Sequence, residues 1–153
     1  MAYSSTSKDV AVGVMNAFRA AADYGTVIPG GVHLARPPTN PPPAMPYGVL
    51  EIFKGSQAPI YSTGDSYIDF RRATITYYGP FDKLAECMGF TDSVLSRKTL
   101  TIPNATFMAC TPLPPAPLVQ KDEFVIVDEA TEGGEDVFAA TCDFDVITTR
   151  TVQ

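Results

Sequence analysis

The sequence predicts an α+β fold in which a single mixed or antiparallel β-sheet carries a long β-hairpin and packs against two α-helices. Three observations carry that prediction. Apolar side chains recur at intervals of four within residues 8–24, residues 47–53 and 66–78 read as strands on either side of a turn, and residues 136–149 alternate in polarity. With 153 residues, 45% of them apolar and 18% charged, the chain has the size and composition of one domain with a real hydrophobic core. Residues 1–153 are therefore read as a single domain with two proline-rich straps, 37–46 and 112–117.

In the first helix, Val10, Val14 and Phe18 form the apolar stripe, with Ala11, Met15, Ala21 and Ala22 widening it. Ser7 is placed to cap its start and Gly25 to end it. Gly13 costs about 1 kcal/mol relative to Ala inside a helix, which points to a close contact at that position. Residues 25–45 then read as an extended connector that joins no ladder, because Pro37, Pro38, Pro41, Pro42 and Pro43 fix φ and remove amide donors.

Pro46 leads into the first strand, with Tyr47, Val49 and Phe53 on one face and Leu50 and Ile52 on the other, a pattern expected of a strand covered on both sides. Ser62, Thr63, Gly64 and Asp65 read as the turn. The returning strand, 66–78, is about twice the usual length, so part of the hairpin is expected to project from the domain and meet a neighbour. Its second half, 74–78, reads as sheet core, and its first half, 67–72, as a rim.

Gly79 and Pro80 break that strand before a second helix, with Phe81, Leu84, Ala85 and Met88 on one face, Asp82 in its first turn and Gly89 at its end or bend. Residues 92–97 add a turn. Strands are expected at 106–111 and 124–127, a reversal at Thr131, Glu132, Gly133 and Gly134, and a last strand with Phe138, Ala140, Cys142, Phe144 and Val146 on its buried face. Thr148 is expected to leave that face.

The formal charge of −6 and the scattered Lys and Arg oppose a role built on phosphate neutralisation. Acids gather instead at Asp122, Glu123, Asp128, Glu129, Glu132, Glu135 and Asp136, read as one acidic edge. Cys87, Cys110 and Cys142 are far apart and His33 is the only histidine, so the expectation is three reduced thiols, with no metal site and no cofactor. No nucleophile elbow, zinc-helix, P-loop or dinucleotide fingerprint occurs, which leaves no specific reason to expect an enzyme. No apolar run approaches the ~20 residues of a membrane span. Arg71 and Arg72 point to opposite strand faces, so one can pair locally while the other reaches across a boundary to the acidic edge of a second copy. Reversing either charge is expected to leave the fold intact and to weaken assembly for at least one of the two.

Phe18 in the first helix, the entry Pro46-Tyr47-Gly48-Val49-Leu50, the turn Ser62-Thr63-Gly64-Asp65, and Arg72-Ala73-Thr74-Ile75-Thr76-Tyr77-Tyr78-Gly79 before the helix of Phe81 carry a resemblance. With the closing strand after Gly133, this order resembles the tail-terminator or tail-completion family of long-tailed bacteriophages, a group shared with neck proteins and gene transfer agents. The resemblance implies a structural virion protein, a homohexameric ring on the head-proximal end of the tail tube that ends tube polymerisation and joins the tail to the head connector. It implies as partners further copies of the chain, the tail tube protein and a connector or stopper protein, with DNA passing the lumen without specific binding and no membrane. Location in the tail or neck of a virion assembled in a bacterial cytoplasm follows from the same likeness. Ile60, Tyr61, Tyr67, Phe70, Arg71, Arg72, Asp122 and Glu123 are the expected subunit and tube contacts. Another connector or neck ring is the alternative, and a small-ligand-binding α+β domain the more distant one.

Overall fold

An apolar stripe opens the fold. In the computed structural model, which describes residues 6–39, 43–59, 66–113, 124–128 and 137–151, the stripe forms α1 (Thr6–Ala20) and is followed by one short helical turn, α2 (Tyr24–Val27). Then come β1 (Val32–Leu34), β2 (Tyr47–Pro59), β3 (Ser66–Gly79), α3 (Phe81–Leu95), β4 (Thr106–Pro112), β5 (Phe124–Asp128) and β6 (Val137–Thr151). They make one six-stranded sheet in the order β1-β2-β3-β6-β4, with β5 also paired to β6. The predicted fold class is the observed one.

β2 and β3 are antiparallel from Tyr47↔Tyr78 to Pro59↔Tyr67, and the register shifts between Lys54 and Gln57. The expected projecting arm is not what forms. β6 is as long as β3 and pairs with it from Ser66↔Thr151 to Gly79↔Phe138, so β3 has a neighbour on each side instead of one. Because β3 occupies one edge of β6 throughout, β4 and β5 share the other, β4 against residues 144–149 and β5 against residues 137–140.

α1 and α3 lie on one face of this sheet. Val10, Val14 and Phe18 from α1 and Leu84, Cys87 and Leu95 from α3 meet Leu50, Ala73, Ile75, Tyr77, Ala140, Phe144 and Val146, all buried in one cluster. Each large apolar side chain removed from water this way stabilises the fold by roughly 1.5–3 kcal/mol. Gly13 lets α1 approach the segment after α3: a methyl group there would collide with the Ile102 side chain and stand 2.9 Å from the Thr101 carbonyl oxygen. Tyr77 reaches through the core to Thr91. The Thr91 hydroxyl donates to the Cys87 carbonyl oxygen at 2.8 Å, so its single proton is committed and the Tyr77 hydroxyl is the donor to Thr91.

Several expectations need correction. The connector does join a ladder: Val32, His33 and Leu34 pair in parallel with Gly48, Val49 and Leu50. α2 prepares that strand, because the Val32 amide donates to the Tyr24 hydroxyl at 2.8 Å and Gly31 supplies the positive φ of +74° just before it. Gly25 lies within α2 rather than ending α1. α3 runs straight through Gly89, where a side chain would meet open space. β2 is not covered on both faces, since Phe53 is exposed. Thr148 does not leave the buried face of β6, which extends through it to Arg150. The turn at residues 62–65, the reversal at 131–134 and the residues of the second strap beyond Leu113 lie outside the described residues.

Candidate assembly surface

β3 alternates, and its polar half divides between two very different environments. Asp69 and Arg71 point beneath the N-terminal end of α1 and are buried, whereas Phe70 is half-buried and Arg72 exposed on the opposite face. Under α1, Arg71 grips Asp69 with one edge of its guanidinium, Nε to Oδ1 at 2.8 Å and Nη2 to Oδ2 at 3.4 Å. Its Nη1 donates to Ser7 Oγ at 3.2 Å, and Gln57 Nε2 donates to Asp69 Oδ2 at 2.9 Å. Ser7 therefore ties the first turn of α1 to the sheet rather than capping the helix.

A second buried pair lies alongside. Arg150 Nη1 donates to Asp9 Oδ2 at 3.0 Å, and Asn104 Nδ2 reaches Asp9 Oδ1 at 3.5 Å. Both side chains of this pair are less than a tenth exposed. Among the described residues, Arg150 Nε and Nη2 and the Thr148 hydroxyl are buried there without a hydrogen-bond partner. The corner is a neutral set of two carboxylates and two guanidinia that holds the first turn of α1 down by side chains from β3 and β6. Burial of ions without full pairing is costly, so this corner depends on its geometry.

The other face carries no helix among the described residues. Register places Phe53 opposite Arg72 and Arg72 opposite Asp145, with Glu51, Thr74 and Asp143 forming the next row. Arg72 Nε stands 3.9 Å from Asp145 Oδ1, a loose ion pair with the Arg72 side chain 54% exposed. Thr74 Oγ1 donates to Asp143 Oδ1 at 2.6 Å, Thr76 and Thr141 exchange a hydroxyl contact at 3.3 Å, and the rings of Tyr47 and Tyr78 stack 5.3 Å apart. A shallow concavity of about 520 Å³ lies here, with Phe53, Gly55 and Phe70 at one end and Arg72, Asp143 and Asp145 at the other. Gly55 shapes it: a side chain there would run into the Phe70 carbonyl oxygen.

Of the residues expected at contacts, Phe70 and Arg72 therefore share this open face, and Tyr67 is half-buried at the far end of β3, across from Arg150. Arg71 is inside the domain. Ile60, Tyr61, Asp122 and Glu123 fall outside the described residues. Both arginines pair within the chain, Arg71 with Asp69 and Arg72 loosely with Asp145 on β6. Sequence reasoning missed Glu51, Asp143 and Asp145 as neighbours, since only strand register brings them together. The signal available for Asp69 and Arg71 was their spacing of two, which puts a carboxylate and a guanidinium on one strand face.

His33 Nε2 lies 2.7 Å from the Gly30 carbonyl oxygen and braces the turn before β1. Burial pushes the Cys87 thiol up to about 11 and the Cys110 thiol up to about 12, so both are poor nucleophiles at neutral pH. Among the described residues no group of three or more His, Cys, Asp or Glu is arranged to hold a metal ion, and no helix is long and apolar enough to cross a membrane.

No family model matches the chain, and no curated protein matches it. Among solved structures, it is similar to a chain of the virion of a native gene transfer agent (GTA) particle, with a TM-score of 0.72 and 14% identity. The correspondence covers 96% of this chain and 99% of that one. The two share a fold. The match runs nearly end to end in both chains.

Proposed function

We propose that this chain is a structural virion protein: a subunit of a homohexameric ring that caps the head-proximal end of a phage-like tail tube and joins it to the head connector. The observation that carries the reading is the end-to-end likeness of fold to a chain of a gene transfer agent virion. A sheet whose helices, among the described residues, lie on one face supports it, because the other face is available for contacts between copies. Capping follows from asymmetry. One ring face reproduces the contacts that a tube subunit makes, the other lacks them, and addition of subunits stops. The open face with Phe53, Phe70 and Arg72 is the surface assigned to ring and tube contacts. An obligate interface of this kind buries on the order of 2,000 Å² or more and is apolar at its centre.

The test is electron microscopy of particles made with and without the chain. Tubes of uncontrolled length in its absence, and a tagged copy found at the head-proximal tail end, are the expected results. Tails of normal length that fail to join heads would reassign it to another connector or neck ring. A tagged chain absent from the particles would overturn the reading altogether.

A further inference from the structure

The open face has more negative charge than it balances. Glu51, Asp143 and Asp145 outnumber the two exposed cations here, Arg72 and Lys54, which lines the same concavity, and among the described residues Glu51 has no ion-pair partner. Elsewhere the described surface has one place where two consecutive cations are both exposed, Arg97 and Lys98, directly after α3. Neither has an ion-pair partner among the described residues.

That corner is held in place. Arg97 adopts φ +56°, the left-handed region that glycine or asparagine usually takes after a helix and that a larger side chain adopts only at a cost. Its amide donates to the Cys110 carbonyl oxygen at 2.8 Å. Among the described residues β4 is an edge strand paired with β6 alone, so this hydrogen bond fixes the cationic corner to that edge. The corner is thus at an edge and the acidic patch in the middle of a face.

Resting on the ring reading above, we infer that the Arg97–Lys98 corner of one copy docks on the Glu51–Asp143–Asp145 patch of the next. An edge of one subunit placed on a face of its neighbour is a head-to-tail contact, the type that generates rings. Opposite charges set its register, and Phe53 and Phe70 beside the carboxylates supply apolar area that charge alone does not.

The experiment uses two charge-reversed forms of the full chain, Asp143→Lys/Asp145→Lys and Arg97→Glu/Lys98→Glu, followed by sedimentation velocity over a concentration series. The wild-type chain is expected to self-associate, and each double variant to lose at least tenfold in association constant while keeping wild-type circular dichroism. Mixed one to one, the two variants are complementary at every contact and are expected to re-form the wild-type species, as is the chain carrying all four changes. Raising salt to 1 M, where the Debye length falls to about 3 Å, is expected to weaken the wild-type complex. The inference is overturned by a wild-type chain that stays monomeric, by variants that associate like wild type, or by reversed pairs that fail to restore association. Should the tagged chain still occupy the tail end in micrographs, those failures remove this contact and leave the ring reading standing.

Discussion

Arg71 and Arg72 are adjacent in sequence and belong to two different proteins in physical terms. One is sealed beneath α1 with its guanidinium engaged by Asp69 and Ser7; the other stands half in water, 3.9 Å from the Asp145 carboxylate. The same strand supplies both because neighbouring side chains point to opposite faces. The covered face spends its charges on holding the domain together, and the open face leaves its charges available to a partner. Charge reversal at the two arginines is therefore not one experiment repeated. Arg71→Glu would put two carboxylates together in a buried corner and unfold the region, so the expectation that it leaves the fold intact does not survive the structure.

The largest test of that difference is Asp69→Ala. It strips the buried Arg71 guanidinium of its bidentate acceptor and leaves Gln57 without its acceptor. Removing one partner of a buried pair costs about 3–5 kcal/mol, and denaturant unfolding is expected to show a loss in that range. A loss below about 1 kcal/mol, typical of exposed pairs, would mean that water reaches the corner and that the two faces are alike.

Alkali probes the covered side by another route. Burial raises the thiols of Cys87 and Cys110 from an ordinary value of 9.0 to about 11 and about 12, and burial likewise lifts Tyr77 well above its usual 10.0. In the unfolded chain these groups ionise near their ordinary values; in the folded chain they remain protonated to higher pH. The stabilisation they contribute is therefore complete below about pH 9 and is lost as pH rises through about 11 to 12. A melting temperature that falls across this window, with a smaller fall in Cys110→Ala after correction for its lower starting stability, is expected. A flat profile would show that the thiols are solvated. A smaller effect belongs to Tyr77→Phe, which deletes a buried hydrogen bond but leaves Thr91 its acceptor at Cys87; about 0.5–1.5 kcal/mol is expected in the same unfolding assay.

Most of the architecture was legible because the apolar side chains declare their period. Val10, Val14 and Phe18 could only be a helix stripe, and Ala73, Ile75 and Tyr77 could only be one face of a strand. The polar half of β3 was not legible. Asp69 and Arg71 alternate with Phe70 and Arg72, and composition favours putting the phenylalanine inside; the buried ion pairs reverse that choice. β1 escaped notice because three residues between a glycine turn and a run of prolines carry too short a period, and its parallel partner is set by distant pairing. Gly89, read as an end or bend of the helix, does not end it, because glycine's cost of about 1 kcal/mol is small beside the burial of Leu84, Cys87 and Leu95 on either side of it. The acidic patch on the open face was hidden for a further reason: Glu51, Asp143 and Asp145 come from strands separated by most of the chain, and only the common register with β3 assembles them.

The smallest effect on folding is also the one that separates two views of the open face. Arg72→Ala removes a loose, exposed ion pair, so the folding free energy should change by no more than about 1 kcal/mol. Its effect on association has a sign that matters. If the carboxylates around Arg72 receive a cationic corner, deleting the guanidinium among them deepens the local negative potential, and self-association in low salt should tighten. If Arg72 itself reaches an acid on the next copy, as the sequence alone led one to expect, the same change should loosen it. Sedimentation of Arg72→Ala beside wild type at two ionic strengths decides between these directions. Because the fold is left nearly untouched, a change of either sign can be assigned to the face and not to the buried corner behind it.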